Sequence, residues 1–255
     1  MWTPVYRREL KASFHLPVFY VLAGIFLFLV SYFTLGMMIE FTDAFRDYSL
    51  QQIYGMENPN VTEWVVKGFF SLLNLLFIFM VPLLSMKLYA EEKKSGSLDL
   101  LLTCPVKDGE VLAGKFLAAL TVLLILPVAC FIFPVLFEIF SEPEWPVIWT
   151  GYAGIILSLA AYLSIGIFAS SITENQVIAA FLSFSGILFF YLAGDVTSAQ
   201  EGFIGRISSE ISLRRHAEPF FQGIIEIGDV FYFIAFCAFF LFLTIESLKI
   251  RRWRS

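Results

Sequence analysis

The residues from Gly109 to Phe116 come closest to a chemical motif. Gly109, Gly114 and Lys115 reproduce the GxxxxGK frame of a loop whose backbone N–H groups cradle phosphate, but Phe116 stands where a magnesium-binding Ser or Thr is needed. No buried strand precedes this stretch and an apolar run follows it at once, so we read the match as chance and Lys115 as a boundary cation. His216 with Glu218 is the one other foothold for acid–base work, and a surface histidine in an outer helix accounts for it far better. The sequence has no HExxH, no GxSxG and no paired aspartates, which removes support for zinc proteolysis and serine catalysis. Cys104, Cys130 and Cys237 form no CxxC pair, and the last two sit inside apolar runs as small hydrophobes do.

The surroundings of these residues are more decisive than the residues themselves. Of 255 residues, 58% are hydrophobic and 15% charged, against about 25% charged in an ordinary soluble domain. A chain so apolar cannot cover its surface with polar groups, whereas lipid imposes no such need. Six uncharged stretches are long enough to cross about 30 Å of hydrocarbon as helices: Pro17 to Met38, Gly68 to Met86, Phe116 to Phe137, Trp145 to Ala169, Asn175 to Gly194 and Val230 to Ile245. The fourth and fifth must be separate, because one helix from Pro146 to Gly194 would be a rod of about 70 Å. Thr173 is expected to cap the fifth, with Gln176 at the capping-box position. Asn74 is the most polar residue inside a span, and an interhelical hydrogen bond is its expected role. Pro82, Pro127 and Pro134 permit kinks, and Gly154 with Ser158 permits a close helix approach. None of the spans holds an ionisable residue, which argues against ion coupling or a proton relay.

Charge sets the expected orientation. Twelve of the 17 basic residues precede the first span, lie between the second and third, or follow the sixth. The other side carries Arg46, Lys67, Arg206, Arg214 and Arg215 among fourteen carboxylates, so both termini and the second-to-third loop are expected in the cytoplasm. Trp145, Trp149 and Tyr152 then fall at the outer interface and Trp253 at the inner one. Residues 1–16 read as an interfacial helix with Tyr6, Leu10 and Phe14 on one face beside Arg7, Arg8 and Lys11.

Both large outer loops, Ile39 to Lys67 and Asp195 to Asp229, are shorter than the roughly 40 residues an unstapled domain needs. The informative segment lies between spans two and three. Gly96 interrupts a helix there, Ser97 can cap another, Asp99 suits its positive end and Pro105 stops it, leaving about two turns with Leu98, Leu101 and Leu102 on one side. Such a helix is a handle for a cytoplasmic partner, and would serve equally as a tethered loop on lipid.

The run Glu91-Glu92-Lys93-Lys94-x-Gly96-Ser97-Leu98-Asp99-Leu100-Leu101-Leu102-Thr103-x-Pro105-Val106 resembles the coupling region of ABC type-2 transporter permeases, particularly the gliding-motility and nitrous-oxide-reductase-maturation group. Ala160 to Tyr162, Ile165 to Ser171 and Thr173 to Gln176 are similar to that group's turn between spans four and five. His216 to Gly223, Asp229 and Tyr232-Phe233 are similar to its outer segment before the last span.

The resemblance implies an all-α, six-span permease domain over residues 1–255, in the bacterial inner membrane, with no catalytic residue, metal or cofactor of its own. Residues 88–105 would form the coupling segment, with Glu91, Glu92, Gly96, Leu98, Asp99, Leu101, Thr103 and Pro105 engaging a cytoplasmic ABC ATPase that binds ATP and magnesium. Residues 195–229, including His216, Gly223 and Asp229, would dip into the outer leaflet. The implied partners are that ATPase, a second permease copy, an auxiliary outer-side protein and lipid, with no nucleic acid, and transport would run as export. A scaffold that anchors a partner assembly without transport, and a membrane transferase acting on lipid, are the rival readings.

Overall fold

The computed structural model describes residues 3–15, 17–51, 62–96, 108–140, 143–194 and 209–252. Among these, all regular elements are helical: α1 (Thr3–His15), α2 (Pro17–Gln51), α3 (Lys67–Ser85), α4 (Lys87–Lys94), α5 (Asp108–Ala129), α6 (Ile132–Phe140), α7 (Trp145–Ile172), α8 (Gln176–Leu192), α9 (Leu213–Phe221) and α10 (Ile227–Arg252). A π-helical turn over Thr62–Val66 leads into α3. Five stretches are long and apolar enough to cross a membrane: Pro17–Asp43, Trp64–Lys94, Gly109–Ile139, Trp145–Ile172 and Ile227–Ile250. The expected fifth span is α8, an apolar helix of 17 residues, about 25 Å long, at the short limit for a crossing.

Helix α7 is the axis of the bundle, packed against α3, α5, α8, α9 and α10. From Leu157 to Ser171 none of its residues is exposed, which is why this stretch is apolar all round rather than striped. Its glycines let neighbours approach closely. A Cβ on Gly154 would stand 2.6 Å from the Cβ of Phe220, and one on Gly166 would stand 2.7 Å from that of Ser85. Gly154 thus admits α9, and Ser158 one turn on is buried with it. Asn74 and Tyr162 are joined inside the bundle by a hydrogen bond of 2.9 Å from the tyrosine hydroxyl. Around this core, α2 and α10 turn Val21, Phe28, Tyr32, Phe231, Phe239 and Phe242 outward, the arrangement a hydrocarbon solvent favours.

Several boundaries differ from the sequence expectation for physical reasons. Helix α2 runs on past Met38 to Gln51, because no glycine, proline or cap follows Met38 to stop it. The third span begins at Asp108 and breaks at Cys130–Phe131. Pro134 has no N–H to offer the Cys130 carbonyl, and Phe133 N–H takes that carbonyl instead at 3.1 Å, tightening the turn. The cap of α8 is Asn175, whose side chain accepts from Val177 N–H at 2.9 Å, not Thr173. The Thr173 hydroxyl instead holds the Asn175 N–H, so the threonine orders the cap rather than being it.

Candidate functional site

At the end of the bundle where α1 meets α4, four charged side chains converge from three helices. Lys115, 1% exposed, directs its ammonium to Glu92 Oε1 at 2.9 Å, Glu9 Oε1 at 3.1 Å and the Leu88 carbonyl at 2.8 Å. These three acceptors use all three ammonium protons. Arg8 donates to both carboxylates at 2.7 Å, closing a ring of two cations and two anions. The Gly109–Phe116 stretch is therefore helix, not a phosphate cradle, and Lys115 is more than a boundary marker. Tyr6 reaches Thr121 at 3.2 Å, fastening α1 along α5 a second time.

The cluster has a pH signature. Burial tends to raise the Glu9 carboxyl, but Lys115 and Arg8 outweigh it and hold the group below its ordinary value of 4.5. A depressed carboxyl contributes stability that is complete above 4.5 and lost as pH falls through its lower folded value. Acidification below the ordinary carboxylate range should therefore release α1. Limited proteolysis at Arg7 and Lys11 should accelerate in acid, and Glu9→Gln should be cleaved readily at every pH.

One turn away, α3 and α4 are one helix broken at Met86. The Ser170 hydroxyl of α7 enters the break: it donates to the Met86 carbonyl at 2.9 Å and accepts from Tyr89 and Ala90 N–H at 3.1 and 3.0 Å. Ala90 and Met86 would otherwise bond to each other in the ladder, so the serine is a wedge that bends the helix while leaving its polar groups satisfied. Buried Lys93 donates to the Ser171 carbonyl, which also accepts from Ser247 of α10 at 3.2 Å. Through these bonds α4 is tied to α1, α5 and α7.

Of the residues expected to couple to a partner, Glu92 lies in the ion cluster and Glu91 is exposed beside it. Gly96 ends α4 with φ +71°, a left-handed turn that suits glycine, and its N–H bonds to the Lys93 carbonyl. Leu98, Asp99, Leu101, Thr103 and Pro105 lie outside the described residues. On α1, Arg8 is in the cluster, Leu10 and Tyr6 are half-buried and Arg7 is exposed. Sequence reasoning missed Glu9, Lys115 and Ser170. A lone lysine opening an otherwise apolar helix was the available signal, since a buried cation needs a counter-charge.

At the other end, His216 and Asp229 do meet: Nδ1 lies 2.6 Å from the Asp229 carboxylate, and the ring stacks on Tyr232 at 3.9 Å. The His216 side chain is 13% exposed, so it is not the surface histidine expected. Nor does it pair with Glu218, which bridges Lys67 at 3.2 Å. Both ring nitrogens of His216 face oxygen atoms, those of the Asp229 carboxylate and the Glu210 carbonyl. Gly223, φ +86°, closes α9 as a Schellman turn, with Ile224 N–H on the Pro219 carbonyl and its own N–H on that of Phe220.

An all-helical bundle of apolar, lipid-compatible helices with a charged junction at one end is a multi-pass membrane protein. Residues 3–203 match the family described as ABC-2 family transporter protein, and the chain belongs to that family. It is thus a membrane permease of an ABC transporter, a machine that includes an ATPase partner. No curated protein matches the sequence.

Proposed function

We infer that this chain is the membrane-spanning subunit of an ATP-driven exporter and receives its power through one segment on its inner face. The charged junction of α1, α4 and α5 is assigned to the cytoplasmic side, with both termini, in a bacterial inner membrane. Helix α8 serves as the short sixth crossing beside the five longer ones. Of the outer segment 195–229, residues 195–208 lie outside the described residues, and the described part from 209 onward is assigned a place dipping into the outer leaflet. In support, Phe220 packs at Gly154, nine residues into α7, about 14 Å from its start. Two copies of the chain and two ATPase subunits form the transporter, an auxiliary outer-side protein joins them, and ATP and magnesium stay on the ATPases.

One observation carries the coupling role: α4 is bonded at once to α1, α5 and α7. A push on residues 95–105 therefore moves three helices, and the wedge at Met86 gives the motion a bend to act on. Its test is transport by the permease reconstituted with its ATPase. Asp99→Lys and Leu101→Ala should each lower transport at least tenfold while ATP hydrolysis and membrane insertion persist. Undiminished transport in both would refute the docking assignment, and a chain that never changes shape with nucleotide would be a scaffold.

A further inference from the structure

A cavity of about 430 Å³ opens beside the ion cluster, between α1, the start of α2 and the α3–α4 break. Phe19, Leu22 and Leu83 line its apolar part, and Lys87 and Glu91 stand at its polar part. Lys87 and Glu91, four residues apart on α4, share one face about 6 Å apart along the axis, and Leu83 lines the same cavity from α3, just before the break. Read from the bundle outward, the cavity wall presents hydrocarbon, then a cation, then an anion. Arg8, Glu9, Glu92 and Lys115 pair with one another, whereas Lys87 and Glu91 enter no ion pair among the described residues.

We propose that this cavity binds a membrane phospholipid carrying a primary amine, with its phosphate on Lys87, its ammonium on Glu91 and an upper acyl chain over Phe19, Leu22 and Leu83. An ethanolamine headgroup has this order of groups, chain then phosphate then ammonium, with the two charges a few bonds apart. The volume holds a headgroup and the top of one chain, the remainder lying in the bilayer. A phospholipid with no cationic group, such as phosphatidylglycerol, would leave Glu91 against a net negative headgroup. The proposal rests on the membrane reading above and is independent of the ATPase.

Binding is measured on the full chain purified alone in detergent, with dioleoyl phosphatidylethanolamine, dioleoyl phosphatidylglycerol and inorganic phosphate as probes and native mass spectrometry as the readout. Phosphatidylethanolamine should be retained, phosphatidylglycerol at least fivefold more weakly, and inorganic phosphate should displace neither. Lys87→Gln should weaken both lipids about tenfold and Lys87→Arg should restore them. Glu91→Gln should weaken only the amine lipid and erase the preference. Leu22→Trp, which fills the apolar part, should remove both, with helix content by circular dichroism confirming that each variant folds. Retention unchanged in both Lys87→Gln and Leu22→Trp, or an amine preference that survives Glu91→Gln, would overturn the proposal. Displacement by inorganic phosphate alone would reduce the site to an anion pocket and overturn it too. Lipid binding is assayed without the ATPase and transport with it, so lipid loss with transport intact, or the reverse, shows which of the two readings has failed.

Discussion

Replacing Lys115 with Met destabilises the folded permease by about 3–5 kcal/mol, the cost of removing one partner from a buried ion pair. The lysine is 1% exposed, and its loss leaves Glu9 and Glu92 close to each other, sharing Arg8, which is itself half in solvent. The Leu88 carbonyl loses its donor as well. Thermal unfolding of the purified chain should show a large drop in midpoint, and α1 should become protease-sensitive at neutral pH. Lys115→Met combined with Glu9→Gln and Glu92→Gln should recover most of the loss, because it is the uncompensated charge rather than the missing attraction that destabilises. A triple variant no better than the single one would show that the cluster acts by packing alone.

Gly166→Leu is the second substitution with a large expected effect. Its Cβ would lie 2.7 Å from the Ser85 Cβ, an atom fixed to the backbone of α3, and 3.1 Å from the Ser183 Oγ of α8. The three helices cannot keep their spacing, and overpacking of this kind costs about 1–3 kcal/mol. Moving α7 away from α3 also withdraws Ser170 from Met86, Tyr89 and Ala90, leaving buried backbone groups short of a partner at about 1–3 kcal/mol more. Gly24→Leu and Gly36→Leu are the controls, since a Cβ there meets nothing within 4 Å. They should melt with the parent, while Gly166→Leu melts well below it and loses transport.

What the sequence made legible follows from interactions that are local or compositional. Apolar runs marked the long helices, Pro134 marked a permitted kink and Gly96 marked the interruption of a helix, because each effect acts within a few residues of its cause. The all-helical, membrane-spanning class was legible for the same reason. Partnerships between distant residues were not. Lys115 meets Glu9 across 106 positions and Ser170 meets Ala90 across 80, and nothing in the spacing of one names the other. His216 was paired on paper with Glu218, two residues away and pointing elsewhere on the helix, whereas its partner Asp229 comes from α10. The Thr173 cap failed more narrowly: two capping residues stood two positions apart, and the chain used both in series.

The bond between Glu9 and Lys115 also constrains biogenesis. Its two halves leave the ribosome 106 residues apart, roughly 5–20 s at ordinary elongation rates. Throughout that interval the nascent α1 carries a carboxylate whose lysine does not yet exist, so α1 waits for the third span before it is secured. Insertion of the third span then completes two steps in one event, delivering a hydrocarbon crossing and locking the amino-terminal helix.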